Sequence, residues 1–219
     1  LISLGSTVIP VLEDFWEQTP YPQTQERIEI LIHQLQYQDL FEEFKIWNLT
    51  KHSLLDGLLL INKYLYPEAD SNAAKQVLEK MRRNIWLELN AYLTPIEQVH
   101  VLNSIVFNYY KHNAVAYDYE DPEKFLLPKV LETKKGNVLS HALLLLLLSE
   151  SLDISIQFLS IPTQFVLVFT ETKLEIFEDE KTFKDRIKFF IDPANGKMFS
   201  QQEMDLYLKS RSLLGDQQF

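Results

Sequence analysis

The stretch GNVLSHALLLLLLSE runs from Gly136 to Glu150 and contains the longest unbroken apolar run of the chain, Ala142 to Leu148. This run is much shorter than the ~20 apolar residues that span a bilayer, so it indicates a buried helix. Asn137 is among the residue types that most favour the N-cap position, and Gly136 before it suits a turn. The stretch therefore predicts a buried helix over Val138 to Glu150, capped by Asn137.

Upstream of residue 151 the apolar residues recur three and four positions apart, as in Leu78, Met81 and Ile85. This is the helical period, so the first two thirds of the chain are predicted to be helical. Capping residues predict where three of these helices begin. The starts are Thr50 before Leu54 to Tyr64, Ser71 before Ala73 to Leu93, and Thr94, with Pro95 in the first turn and Glu97 completing a capping box.

Downstream of residue 151 the pattern changes to short runs rich in β-branched and aromatic residues. No helix-length insert separates these runs, so antiparallel pairing is predicted. A last helix is predicted over Ser200 to Leu208, with Glu203 completing a second capping box. The predicted strands are Ile154 to Leu159, Phe165 to Thr170, Leu174 to Phe177 and Ile187 to Ile191.

The fold class predicted from these elements is α+β, with the helices first and a small sheet last. We place a helical region at residues 1–115 and a core with the sheet at 116–219. No low-complexity linker separates them, so we expect one compact unit.

Composition and charge exclude several classes of function. The 219 residues are 46% hydrophobic and 24% charged, which is typical of a globular protein rather than a disordered one. There is no cysteine, which excludes disulfides and a thiol nucleophile. The net charge of −10 opposes binding to nucleic acid or to an anionic membrane surface. Leu1 to Leu12 lack the features of a signal peptide, so we expect a cytoplasmic protein.

Motifs for cofactors and metals are also missing from the sequence. It has no glycine-rich phosphate loop, no dinucleotide fingerprint and no histidine pair at i, i+4, so neither a cofactor nor a metal is expected. Ser140 and His141 are adjacent, but neighbours on a helix point about 100° apart, so we expect no nucleophile and base pair there. The five histidines are expected to be exposed or hydrogen-bonded structural residues: His33, His52, His100, His112 and His141.

Four later segments, in this order and spacing, resemble the transglutaminase-like superfamily, and more narrowly its bacterial Sir-type invasion-regulator branch. That branch typically has DPRNS, then a leucine, a basic pair and a glycine before a leucine-rich helix, then PGHF on a strand and IDPF. The helical half is similar as well, in Leu54 to Tyr66 with the following PEAD, and in the LNxxLF-like segment from Leu102 to Phe107. The four segments are DPEKF (121–125), LETKKGNVLS (131–140), SIPTQFVLV (160–168) and IDPANG (191–196).

The resemblance implies a papain-like core, in which a helix packs on a small antiparallel sheet. In active members a cysteine begins that helix, a histidine lies on a following strand, and an aspartate orients the histidine. The helix N-terminus lowers the thiol pKa and the histidine takes its proton. By resemblance, the cysteine position is Val138, the histidine position is Gln164, and the aspartate is kept as Asp192.

Valine has no proton or lone pair to use, and a glutamine amide does not titrate, so the resemblance implies a site without its nucleophile and base. Three functions stay open. One is a non-catalytic domain that binds a protein or peptide in the former active-site groove, where Asn137, Ser140 and Pro162 are further candidate residues. Another is a structural or assembly module that acts through a helical face. The last is a hydrolase or acyl transferase with Ser140 as a displaced nucleophile. The sequence does not decide the oligomeric state.

Overall fold

Helices give way to strands near residue 151, as predicted. The structure, a computed structural model, describes residues 7–50, 53–66, 71–116, 118, 120–161, 164–171 and 186–215. Its helices are α1 (Ile9–Gln18), α2 (Pro22–Leu49), α3 (Leu54–Leu65), α4 (Ser71–Glu88), α5 (Pro95–Asn103), α6 (Leu127–Thr133), α7 (Val138–Glu150) and α8 (Gln201–Gly215), with a π-helix at Ser104–Tyr109 and a 3₁₀ turn at Pro122–Lys124.

The chain divides into two compact units, residues 1–71 and residues 72–219. This division lies at residue 71, whereas the sequence analysis placed a boundary at 115/116. Helices α4 and α5 are therefore grouped with the sheet and with α7, rather than with α1 to α3.

The first unit is built from α1, α2 and α3, of which α2 contacts both of the others. Buried Leu12 of α1 packs with Ile28 and Leu35 of α2. Farther along α2, the indole Nε1 of Trp47 donates to the carbonyl of Ser53 at 2.9 Å. A side chain at Gly57 of α3 would overlap the Trp47 ring, so the glycine allows α2 and α3 to approach closely.

The predicted N-cap at Thr50 is wrong. Thr50 ends α2 as its C-cap, and Ser53 caps α3 by accepting a hydrogen bond from the backbone N–H of Asp56 at 3.2 Å. Both residues are common cap types and they lie three positions apart, so composition alone did not separate them. Thr50 is therefore a cap, but of the preceding helix.

Of two other predicted helix boundaries, the start at Thr94 is confirmed and the end at Leu93 is wrong. The capping box at Thr94 is confirmed, since Thr94 Oγ1 accepts from the Glu97 N–H and the Glu97 carboxylate accepts from the Thr94 N–H. Helix α4 ends at Glu88, five residues before the predicted Leu93. The Asn90 side chain accepts from the Tyr92 N–H at 3.0 Å, a turn that competes with the helix.

The four-stranded sheet has the order β3-β4-β5-β6 and is antiparallel throughout. Leu167 pairs with both Phe158 and Ile191 at its centre. A separate pair of two-residue strands, β1 and β2, is parallel. The strands are β1 (Asn113–Ala114), β2 (Lys135–Gly136), β3 (Ile156–Ile161), β4 (Gln164–Thr170), β5 (Ile187–Ile191) and β6 (Met198–Phe199).

Helices cover this sheet, as the α+β prediction requires. Helix α7 contacts β3 and β4, and α8 contacts β5 and β6. Buried Met204 of α8 packs with Val166, Val168 and Phe190. The capping box predicted for α8 is confirmed, because Ser200 and Glu203 exchange backbone and side-chain hydrogen bonds. A helix packed on a small antiparallel sheet is the arrangement expected of a transglutaminase-like core.

The strand predictions hold with small shifts in their ends. The strand predicted at Ile187–Ile191 has those bounds, while β3 begins two residues later than predicted. The strand predicted at Leu174 to Phe177 lies outside the described residues. In the part of the chain that is described, no helix has the length and apolar character needed to cross a membrane.

Candidate functional site

The N-terminus of α7 is built around Asn137, which is fully buried. Its Oδ1 accepts a hydrogen bond from the backbone N–H of Ser140 at 2.9 Å. This confirms the predicted cap, which satisfies one of the amides that a helix start leaves unpaired. Val138 is the first residue of α7 and is half-buried. The position that the resemblance assigns to a cysteine is therefore at the N-terminus of a capped helix.

Ser140 is buried and its hydroxyl is already hydrogen-bonded. Its Oγ donates to the backbone carbonyl of Asn137 at 3.0 Å, and a Cβ at Gly136 would overlap that Oγ. The same carbonyl accepts from Nδ1 of His141 at 3.0 Å. Ser140 and His141 thus both donate to the Asn137 carbonyl.

His141 is fully buried and its tautomer follows from its partner. A carbonyl oxygen can only accept, so Nδ1 carries the proton and Nε2 of the neutral ring is an acceptor. Nε2 is buried with no hydrogen-bond partner. Burial lowers the pKa of His141, and the backbone carbonyls of Asn137 and Gly136 oppose that shift.

His112 lies against His141, which the sequence analysis did not predict. The two ring centroids are 5.8 Å apart with nearly perpendicular planes, and Nδ1 of buried His112 has no partner. Burial lowers the pKa of His112 to about 4, with smaller contributions from His141 and Lys134. Phe107 stacks on the His141 ring at 5.9 Å. The two histidines are therefore neutral, apolar-packed side chains behind the start of α7.

The parallel pairing of β1 with β2 brings these histidines together. Asn113 pairs with Lys135 and Ala114 with Gly136, and the Val115 N–H donates to the Gly136 carbonyl at 2.8 Å. The residue before β1 is His112, so the pairing places it beside the start of α7. Two-residue strands have no periodicity to detect, so no sequence signal pointed to this contact.

Asp192 lies in a turn directly after β5. Its Oδ1 accepts from the Ala194 N–H at 2.8 Å and its Oδ2 from Nδ2 of Asn195 at 3.1 Å. Gly196 closes the turn with a φ of 74°, a conformation that favours glycine. The retained aspartate therefore has both oxygens engaged within its own turn.

Asn103, at the end of α5, forms a hydrogen bond with the backbone of this turn. Its Nδ2 donates to the Gly196 carbonyl at 2.7 Å, and a Cβ at Gly196 would overlap the Asn103 side chain. Four residues later in the chain, Phe107 reaches His141. The LNxxLF-like segment thus connects the turn that contains Asp192 with the interior behind α7.

Gln164 begins β4, and its backbone pairs with Ile161. Pro162, a candidate groove residue, and Thr163 lie outside the described residues. In the register of β4 with β5, Leu167 pairs with Ile191, so Gln164 and Asp192 lie at the same end of this strand pair. Across the described ranges, no three His, Asp or Glu side chains are grouped so that they could hold a metal ion.

A family model described as the transglutaminase-like superfamily matches residues 72–216. The chain is also 22% identical over 156 residues to Protein SirB1 of Salmonella typhimurium and to Protein SirB1 of Salmonella typhi. Each alignment covers 71% of this chain and 54% of the relative, so the chain spans about half the length of the curated relatives it matches. No solved structure matches it.

Proposed function

This chain belongs to the transglutaminase-like superfamily, and we propose that it is a non-catalytic member that binds a protein or peptide at the former active site. The observation that carries the proposal is Val138. It occupies the first position of the capped helix α7, where the resemblance places the nucleophile, in a chain without cysteine. A valine there can make contacts but cannot attack a carbonyl.

The connection between α7 and β3 supports a shared location for the three vestigial positions, Val138, Gln164 and Asp192. Only five residues join α7 to β3, and the two elements contact each other. A connection this short makes β3 run back along the helix, over a similar length of roughly 20 Å. The end of β3, where β4 begins at Gln164, is then on the side of the α7 N-terminus.

The hydrogen bonds of Ser140 argue against a displaced nucleophile. A general base would have to take the hydroxyl proton that Ser140 gives to the Asn137 carbonyl, and a carbonyl oxygen is not such a base. The neighbouring His141 uses its Nδ1 on the same carbonyl. We therefore expect no amidase, protease or transglutaminase activity from this chain.

A peptide-binding experiment tests the proposal. Peptides are selected from a random phage-displayed library on the wild-type protein, and their affinities are measured by fluorescence anisotropy. Val138→Trp places a large ring at the N-terminus of α7, and Ser151→Trp places the same ring at the exposed C-terminal end of that helix. We expect Val138→Trp to weaken binding at least about tenfold and Ser151→Trp to leave it unchanged.

A label attached after folding blocks the same site and does not depend on whether Val138→Trp folds. Val138→Cys is labelled after folding with a polyethylene-glycol maleimide, which reacts only there because the chain has no other cysteine. Equal affinities for labelled and unlabelled protein, or equal losses for the two tryptophan variants, would refute binding at this site. Peptide hydrolysis abolished by Ser140→Ala would establish the displaced nucleophile instead.

A further inference from the structure

The first unit exposes an apolar face on two of its helices. On α2, Ile30, Tyr37 and Phe41 are spaced i, i+7 and i+11, which places them on one side of the helix. Each is about half exposed, at 50%, 49% and 59%. The opposite side of α2 carries Ile28 and Leu35, which are buried against α1. Helix α2 therefore also exposes apolar side chains on the side away from α1.

Helix α3 extends this exposed surface. Ile61, Tyr64 and Leu65, spaced i, i+3 and i+4, are 48%, 52% and 46% exposed. The rings of Tyr37 and Tyr64 are in contact, with centroids 5.5 Å apart. The tyrosine face, as we call it, consists of Ile30, Tyr37 and Phe41 of α2 and Ile61, Tyr64 and Leu65 of α3.

Apolar side chains that are exposed together on neighbouring helices are typical of interaction sites. The family model begins at residue 72, so the tyrosine face lies outside the residues that this model matches. It also lies outside the site at α7, so its use is separate from the proposed function.

Charge indicates what kind of partner fits the tyrosine face. Residues 1–71 contain eleven aspartates and glutamates but only four lysines and arginines, so they carry seven of the ten net negative charges. Two of the four cations are already paired, Lys45 with Glu42 at 2.7 Å and Lys63 with Glu43 at 2.6 Å. Lys45 also lies over the Phe41 ring, 4.5 Å from its centroid. The unit as a whole is nevertheless acidic, and an acidic unit with an exposed apolar face is complementary to a partner that is apolar on one side and basic on the other.

Charge also disfavours a second copy of this chain as the occupant. A second copy of this chain would bring a second acidic unit against the first, and like charges oppose association. Residues 72–219 also carry more acids than bases, twenty against seventeen. A second copy therefore does not supply the positive charge that would complement residues 1–71.

We propose that the tyrosine face binds a basic amphipathic helix of a partner protein. Its apolar side packs on the exposed rings and aliphatic side chains of α2 and α3, and its lysines and arginines face the carboxylates of the unit. Apolar faces on helices commonly recognise such helices through anchors spaced like their own.

The test uses the full chain and a fluorescein-labelled model helix of about 18 residues, with a leucine and tryptophan stripe and lysines on its other side. A matched peptide keeps the stripe and replaces every lysine with glutamate. Phe41→Ser and Tyr64→Ser alter the tyrosine face. Tyr92→Ser removes an even more exposed ring, at 94%, from the second unit and serves as the control.

We expect the basic peptide to bind, and Phe41→Ser and Tyr64→Ser each to weaken it at least about tenfold. Tyr92→Ser and Val138→Trp should leave its affinity unchanged, so this result is independent of the site at α7. The glutamate peptide should bind at least about tenfold more weakly, and added salt should weaken the basic peptide.

Equal binding of the two peptides, or equal effects of Phe41→Ser and Tyr92→Ser, would overturn the proposal. Light scattering tests the alternative that a second copy of the chain covers the tyrosine face. If the wild-type protein is a dimer that Phe41→Ser and Tyr64→Ser dissociate, the tyrosine face is covered by a second copy, and the proposed basic partner is wrong.

Discussion

The two ends of the proposed vestigial site, the start of α7 and the turn after β5, differ in which features of the family pattern they carry. At the start of α7, Gly136 and the Asn137 cap are present, but the residue at the position of the nucleophile is Val138. In the turn after β5 the acid itself is present as Asp192, and both of its oxygens accept hydrogen bonds inside the turn. In the proposed correspondence, the first end has the capped helix start without a nucleophile, and the second has the acid in a turn that uses both of its oxygens. The comparison teaches that a carboxylate at the expected position can serve a turn, so its presence alone does not indicate catalysis.

The largest expected effect is a loss of stability at low pH, caused by buried His112 near the start of α7. Because the pKa of buried His112 is lowered to about 4 from the ordinary value near 6.5, the unfolded chain binds the proton first as the pH falls. The free energy of unfolding should be unaffected by this group above about pH 6.5 and fall by about 3 kcal/mol between there and pH 4.

Urea unfolding of the wild type and of His112→Phe between pH 7 and pH 4 measures this effect. The phenylalanine retains a ring against His141 but cannot titrate, so its stability should depend less steeply on pH. Parallel curves for the two proteins would mean that His112 is not buried in its neutral form.

Gly136→Ala probes the architecture at the start of α7 directly. A methyl group there would overlap Ser140 Oγ and come within 3.0 Å of both Val130 methyl carbons, so we expect a loss of about 2 kcal/mol in stability. Removing the hydroxyl in Gly136→Ala/Ser140→Ala should restore about half of the loss, relative to Ser140→Ala alone. Strictly additive effects in thermal unfolding would place Ser140 away from Gly136.

Asp192 should show the smallest effect, because its carboxylate serves only its own turn. Asp192→Asn keeps an oxygen for the Ala194 N–H, so its cost should be under about 1 kcal/mol, whereas Asp192→Ala loses both acceptors and should cost more. Chemical denaturation of both variants gives the comparison. If Asp192→Asn loses as much stability as Asp192→Ala, the negative charge itself is needed, and the role of Asp192 goes beyond forming its turn.

Local patterns in the sequence gave most of the secondary structure. The Asn137 cap and the Thr94 capping box were predictable because the residues that form them lie within three positions of each other. The strand at Ile187–Ile191 was predictable from its composition. The prediction for Thr50 failed because Ser53, three positions later, is also a favoured N-cap residue and ranks above threonine.

Contacts between distant residues were not predictable in the same way. His112 and His141 are 29 positions apart, and a two-residue strand pair brings them together. The hydrogen bond from Asn103 to the Gly196 carbonyl joins residues 93 positions apart. Neither contact leaves a period or a cap motif in the sequence, so the packing of the two histidines and the hydrogen bond of Asn103 came only from the structure.

The thiol pKa of Val138→Cys, with and without Gln164→His, tests most directly whether Val138, Gln164 and Asp192 form a vestigial active site. Alkylation rates against pH give that pKa, and the reference values are those of a short cysteine peptide, near 8.5, and of Ser151→Cys at the C-terminal end of α7, where the helix dipole does not favour the thiolate. We predict a lower pKa for Val138→Cys, since it lies at a helix N-terminus, and a further decrease of at least about one pH unit in the double variant. Identical curves for Val138→Cys with and without Gln164→His would show that position 164 does not face position 138, which would contradict the vestigial site.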